Sequence, residues 1–145
     1  MADVVLDANV LIGHFDQHDA LHGQARALVR ELRQGGHSAQ LLDFLVNEAV
    51  SVLCRRAAQR RTSPPNLDTI LAKILVLYGE DEIEFLHGEV KRLFRNIIEV
   101  VMKSSGALNF NDATLCMLQQ EGIIGKVATF DEALGQYPGF QVWGQ

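Results

Sequence analysis

No apolar run in this chain comes near the roughly 20 residues that a membrane-crossing helix needs, so a transmembrane protein is not expected. Cysteine is scarce. Cys54 and Cys116 form no C-x-x-C pair and are too few for a disulfide or zinc framework, so both are expected to fill the core in a reducing compartment. There is no internal repeat and no low-complexity tract, which argues against solenoids, stalks and linkers. Positive charge is not in excess either. Thirteen Lys and Arg against 18 Asp and Glu give a net charge of −5, unlike a basic nucleic-acid-binding module. The opening M-A-D-V-V-L-D carries an acid where a secretory signal would carry basic residues, so a soluble, cytoplasmic protein is expected.

What is present is a chain of 145 residues, 48% hydrophobic and 21% charged, with mean hydropathy +0.05. That suffices for one domain, 1–145, with a core that needs no staples. Charge is unevenly spread. Residues 1–79 hold eight basic and eight acidic side chains, whereas residues 80–145 hold five basic and ten acidic. Seven arginines lie between Arg26 and Arg61, four of them in R-R-A-A-Q-R-R.

Val4-Val5-Leu6 is a short apolar run closed by Asp7, as expected of a strand buried on both faces. Leu21, Ala25, Leu28, Val29 and Leu32 then predict an amphipathic helix from Asp19 to about Gln34, stopped by Gly35-Gly36. Ser38 to Leu42 predicts a second strand, with Asp43 as cap for a helix facing inward through Val46, Ala49, Val50, Leu53 and Ala57. After the break at Thr62-Ser63-Pro64-Pro65-Asn66, Leu67 to Tyr78 predicts a helix with apolar residues nearly all round, whose second face needs a partner. Ile83 to Leu86 reads as a third short strand, followed by one helix from about Gly88 to Lys103. Phe110 to Gln120 is a helix opened by Asn109 or Asn111. Val127-Ala128-Thr129 and Phe140 to Trp143 are the last strand candidates, around a turn of helix at Glu132 to Leu134. Strands alternating with helices predict an α/β fold with a mainly parallel sheet, because parallel neighbours need crossover connections. Ligands of such sheets bind beyond the carboxyl ends of the strands, where strand order reverses.

Four acids follow strands or open helices: Asp7, Glu48, Asp112 and Asp131. Each has a local explanation. Asp7 and Asp131 suit N-caps, Asp112 suits the third position of a helix led by Asn109, and Glu48 suits the field of a helix N-terminus. Gathered at one sheet edge, however, they would repel one another and call for a cation. An all-oxygen set without His or Cys selects Mg²⁺ or Mn²⁺ over zinc, and a sparsely ligated ion of this kind takes further ligands from phosphate oxygens. Phosphodiester hydrolysis by activated water is the chemistry that follows. Asn9 and Thr129 can hold acids and water by hydrogen bonds, or simply cap turns.

The segments V-V-L-D-A-N-V-L-I (Val4 to Ile12), V-N-E-A-V-S-V-L (Val46 to Leu53), L-N-F-N-D-A (Leu108 to Ala113) and A-T-F-D-E-A-L (Ala128 to Leu134) resemble, in order and spacing, the PIN domain family. That family includes metal-dependent ribonucleases and the VapC-type toxins of toxin–antitoxin pairs. The resemblance spans essentially the whole chain and implies a three-layer α/β/α sandwich with a five-stranded parallel sheet. It also implies a Mg²⁺- or Mn²⁺-dependent endoribonuclease in which Asp7, Glu48, Asp112 and Asp131 are the metal-binding and catalytic acids, supported by Asn9 and Thr129. A small antitoxin protein is the partner implied beside the RNA substrate, while the apolar surface of Leu67 to Tyr78 itself leads to the expectation of a homodimer seam or an antitoxin groove. The apolar helix Leu67 to Tyr78 departs from the family pattern in a region where its members vary.

Arg55, Arg56, Arg60 and Arg61 suit contacts to an RNA backbone, but equally suit a solvated helix end. His14, His18 and His22 are four apart, yet the loop-like Phe15 to Asp19 argues against one continuous helix and a metal site there. Trp143, Phe130 and Phe140 are assigned to packing. The rivals are a phosphatase with Asp7 as nucleophile, which would want an acid where Asn9 stands; a PIN-type RNA-processing nuclease that is not a toxin; and a non-catalytic binding or scaffold module acting through its apolar helix.

Overall fold

Val4, Val5 and Leu6 are all buried, as a strand flanked by neighbours on both edges and covered on both faces requires. The computed structural model describes residues 3–60 and 66–144. In it β1 (Asp3–Leu6) pairs in parallel with β2 (Ser38–Leu42) on one side and β4 (Val127–Ala128) on the other, and β3 (Ile83–Glu84) pairs with β2. The sheet order is β3-β2-β1-β4, all parallel. Among the described residues eight helices surround it: α1 (Ala8–Phe15), α2 (His22–Gln34), α3 (Asp43–Gln59), α4 (Leu67–Gly79), α5 (His87–Arg92), α6 (Phe94–Lys103), α7 (Phe110–Gln120) and α8 (Glu132–Gly135).

The expected α/β class with a parallel sheet is what forms, but the sheet has four strands where five were expected. Residues 140–143 supply only one parallel bridge, Val127 to Val142. The segment is bracketed by Gly139 and Gly144, both with positive φ, which leaves too little extended chain for a ladder. It is pinned by the Val127 N–H to the Gln141 carbonyl (3.3 Å) and the Trp143 N–H to the Val127 carbonyl (2.9 Å).

Chain direction decides where the site lies. β1 leads through α1 and α2 to β2 on one side, while β4 leads through α8 to the Val142 bridge on the other. The outgoing connections therefore diverge between β1 and β4, the position at which open parallel sheets leave a crevice for ligands. The helices form two groups that pack within themselves: α1 against α2 and α3 with α3 against α4, and α6 against α5 and α7. Right-handed crossovers would put those groups on opposite faces. Ala25, Val29 and Leu32 of α2, Leu45, Val46, Ala49 and Leu53 of α3, and Leu115 and Leu118 of α7 complete the core. Gly13 lets α1 approach α2, since a Cβ there would come within 3.0 Å of the Ala25 Cβ.

Three local expectations need correction. Residues 88–103 are two helices, not one, because the backbone at Leu93 turns to φ −95°, ψ 6°, which keeps Leu93 buried and leaves Phe94 on the surface. Asp43 is the first residue of α3 and does not cap it; its carboxylate accepts the Leu86 N–H across the sheet edge (3.1 Å). Cys116 is buried, but Cys54 is exposed, one position beyond the inward-facing Leu53. In α4 only Ile70 is buried; Leu75, Val76 and Tyr78 face outward. The break expected at 62–66 lies, apart from Asn66, outside the described residues. Asn66 itself caps α4, accepting the Thr69 N–H.

Candidate functional site

The local structure of each acid follows from its neighbours. Asp7 ends β1 and caps α1, its carboxylate accepting the Ala8 N–H at 2.7 Å. Asp112 is the third residue of α7 and closes a capping box: the Asn109 side chain accepts the Asp112 N–H (2.9 Å) and Asp112 accepts the Asn109 N–H (3.1 Å). Of the two openers expected for α7, Asn109 is therefore the cap. Asp131 caps α8 through the Leu134 N–H (3.2 Å). Glu48, on α3, accepts the Asn111 side-chain amide at 3.1 Å. The local roles anticipated for Asp7, Asp112 and Asp131 thus exist, and they do not exhaust these side chains.

One hydroxyl joins the strand ends. Thr129 Oγ1 donates to Asp7 Oδ2 (2.7 Å) and accepts both the Asp131 N–H (3.0 Å) and the Asn9 side-chain amide (3.2 Å). A hydroxyl has one proton and two lone pairs, so this one is saturated. Asn9 in turn accepts the Phe130 N–H with its other end (3.2 Å). β1, α1 and the segment after β4 are thereby tied together, although Asp7 and Thr129 are 122 residues apart.

Electrostatics draws the four acids into one group. Asp7 is 5% exposed, and its carboxyl is pushed up to about 6, chiefly by burial, against the lowering effect of the Thr129 and Ala8 hydrogen bonds. The negative charges of Asp112 and Glu48 push it further. Asp112 is likewise raised, first by burial and then by the charges of Asp131 and Glu48, while the Asn109 N–H pulls the other way. Asp7 and Asp112 are thus each raised by the charges of two of the other acids, as expected of neighbouring carboxylates.

Among the described residues, no three His, Cys, Asp or Glu side chains stand in an arrangement that would hold a metal ion ready-made. The donor chemistry nonetheless suits a hard cation. The groups are all carboxylate oxygens, two are held above their ordinary pKa, and Mg²⁺ takes one or two protein carboxylates and completes its shell with water and phosphate.

The arginines are engaged differently from the expectation for RNA contacts. Asp16, fully buried, accepts from Arg56 (2.9 Å) and Arg60 (2.7 Å), and Arg56 also pairs with Asp19 (2.7 Å). Burial alone would raise Asp16, but the His18 N–H and the two guanidiniums outweigh it and hold the carboxyl below its ordinary value. This network ties α3 to the loop after α1. Arg55 is exposed, and Arg61 lies outside the described residues. The histidines do not converge: His22 Nδ1 bonds the Gly13 carbonyl (2.7 Å), His18 is exposed, and His14 Nδ1 is buried without a partner.

A cleft of about 680 Å³ is elsewhere. It lies between α1, α2, β2 and α4, with Leu11, Phe15, Val29, Arg33, Lys73 and Val76 in its walls, and contains none of the four acids. A smaller groove of about 460 Å³ borders Thr129, Asp131 and Glu132. The carboxylates mark the candidate site, because Asp7 and Asp112 are buried and raised in pKa beside like charges, and none of the four acids lines the cleft.

Sequence reasoning missed Asn111 as a partner of Glu48. Its only visible signal was an amide adjacent to an acid at a helix start, and that signal pointed to capping. Comparison with protein-family models, with curated proteins and with solved structures finds no match to this chain.

Proposed function

We propose that this protein is a Mg²⁺- or Mn²⁺-dependent endoribonuclease of PIN type, with a three-layer α/β/α arrangement, acting as the toxin of a VapBC-like pair. The observation that carries the reading is the buried Asp7 at the carboxyl end of β1, raised in pKa, coupled to Glu48 and Asp112 and joined through Thr129 to the Asp131 backbone. This lies where the chain's strand connections diverge, and two of the acids are costly to ionise there until positive charge arrives.

A divalent cation held by these acids supplies charge to the phosphate oxygens and lowers the pKa of water. Asp7, Asp112 and Asp131 are its ligands in this reading. Glu48, with one oxygen occupied by Asn111, would use the other to bind the metal or to take the proton of the attacking water. Thr129 fixes the rotamer of Asp7, and Asn9 fixes Thr129 and the backbone at Phe130. No side chain needs to act as the nucleophile.

An antitoxin is proposed to occupy the 680 Å³ cleft beside α4, and the outward-facing Leu75 and Tyr78 of that helix are proposed to meet a second copy of the chain. The same exposed apolar face favours a second reading, a binding module that performs no chemistry. Incubating the protein and its Asp7→Asn variant with a mixed RNA pool, with Mn²⁺ or with chelator, separates the two. Fragments that need both Mn²⁺ and Asp7 support the nuclease; intact RNA at every Mg²⁺ and Mn²⁺ concentration supports the module.

A further inference from the structure

Positive charge in the acidic half of the chain is concentrated at one place. Of the five basic residues in 80–145, three, Lys91, Arg92 and Arg95, fall within five positions of one another around the joint between α5 and α6. All three are exposed, and Arg92 is shared with Glu89 (2.7 Å). Between them stands Phe94, 54% exposed. Its ring is tilted against that of Phe110, with 5.7 Å between centroids. Phe110 itself packs against the hydrophobic core.

Phe110 is the first residue of α7 and Asp112 the third, a rise of roughly 3 Å along the helix. The ring that braces Phe94 and the acid Asp112 thus both belong to the first turn of α7. An aromatic ring with a solvent-facing side, braced by a core aromatic and flanked by cations, is what single-stranded nucleic acid uses: bases stack on the ring and phosphates pair with the charges. The arginines at the end of α3 are weaker candidates, because Arg56 and Arg60 are held by the buried Asp16.

We infer that Phe94, braced by Phe110 and flanked by Lys91, Arg92 and Arg95, is a base-stacking subsite for a single-stranded RNA whose scissile phosphate lies at the carboxylates. The inference rests on the nuclease reading for its catalytic end, but strand binding at Phe94 can be measured without cleavage.

The experiment compares wild type, Phe94→Ala, Phe94→Trp and Arg95→Ala. Cleavage of a single-stranded oligoribonucleotide is followed with Mn²⁺, and binding of the same fluorescein-labelled strand is followed by anisotropy in EDTA. Phe94→Ala should raise KM and Kd about tenfold with kcat within about twofold of wild type, and Phe94→Trp should restore both. Arg95→Ala should reduce the slope of log K against log salt by about one. Normal cleavage with KM and Kd unchanged in Phe94→Ala would overturn the subsite and leave the nuclease reading standing. Binding that depends on Phe94 without cleavage under any metal would retain the subsite and sink the nuclease reading. Neither binding nor cleavage would overturn both.

Discussion

Replacing Asp7 by Asn should make the protein more stable while removing its activity. Asp7 is buried and its carboxyl is raised from 3.8 to about 6. In the unfolded chain the group ionises near its ordinary value, so between about pH 4 and 6 the unfolded state binds fewer protons than the folded state. Stability therefore falls as pH rises through that window and stays reduced above it. A displacement of about two pH units corresponds to ~3 kcal/mol against the fold at neutral pH, at roughly 1.4 kcal/mol per unit. Asn retains an acceptor for the Ala8 N–H but confronts the Thr129 hydroxyl with a second donor, which costs about 1 kcal/mol. The net gain is ~2 kcal/mol, or about 5 °C in Tm for a chain of this size. Thermal unfolding in EDTA at pH 7.5 measures it directly. At pH 4, where the wild-type carboxyl is protonated in both states, the advantage of Asp7→Asn should vanish and give way to a deficit of about 1 kcal/mol, and Mn²⁺ should raise the Tm of the wild type much more than that of the variant. An Asp7→Asn protein that melts at or below the wild-type temperature in EDTA at pH 7.5 would refute the claim that this carboxylate is held at a cost.

Thr129→Val removes one donor and two acceptor positions at once; it should destabilise the fold by ~1–3 kcal/mol in denaturant titrations and abolish cleavage, whereas Thr129→Ser should retain most of both. Asn111→Ala frees Glu48 and should lower kcat about tenfold while leaving Tm within about 2 °C, a split that a purely structural role would not produce. Because Asp7 must lose its proton to serve as a ligand, Mn²⁺ affinity measured by calorimetry should be constant above pH 7 and fall as pH drops below about 6; a flat profile from pH 5 to 8 counts against Asp7 as a ligand. Asp16→Ala strands two arginines that are each about a quarter exposed and should cost ~2–4 kcal/mol. The ionised Asp16 contributes stability that is fully present above its unfolded pKa and fades as pH falls below it, so in acid the variant's deficit should narrow.

The parts of the fold that could be read from sequence are those where local chemistry and tertiary packing agree. β2 and α7 form over the expected spans because Ser38 to Leu42 is closed by helix-forming sequence, and Asn109 with Asp112 builds a self-contained start. α1 left little signal: eight residues, A-N-V-L-I-G-H-F, are apolar enough to pass for the continuation of a buried strand. The break at Leu93 was invisible because the three- and four-residue apolar spacing runs straight through it, and only packing decides which of Leu93 and Phe94 goes inside. The four acids were found by their positions after strands and at helix starts, which is information the sequence holds. Their partners were not equally accessible. Asp16 meets Arg56 across 40 residues and Asn111 meets Glu48 across 63, and no periodicity encodes such distances.

The docking of β4 beside β1 has a consequence for how the chain comes alive. Residues 5 and 127 become neighbours only after more than a hundred intervening residues have been laid down, so the bond from Thr129 to Asp7 can form only once β4 exists. A product cut before β4 would lack Thr129 and Asp131 and would leave Asp7 with only its bond to the Ala8 N–H. That closure also brings the charge of Asp131 toward Asp112, which helps to raise the Asp112 carboxyl.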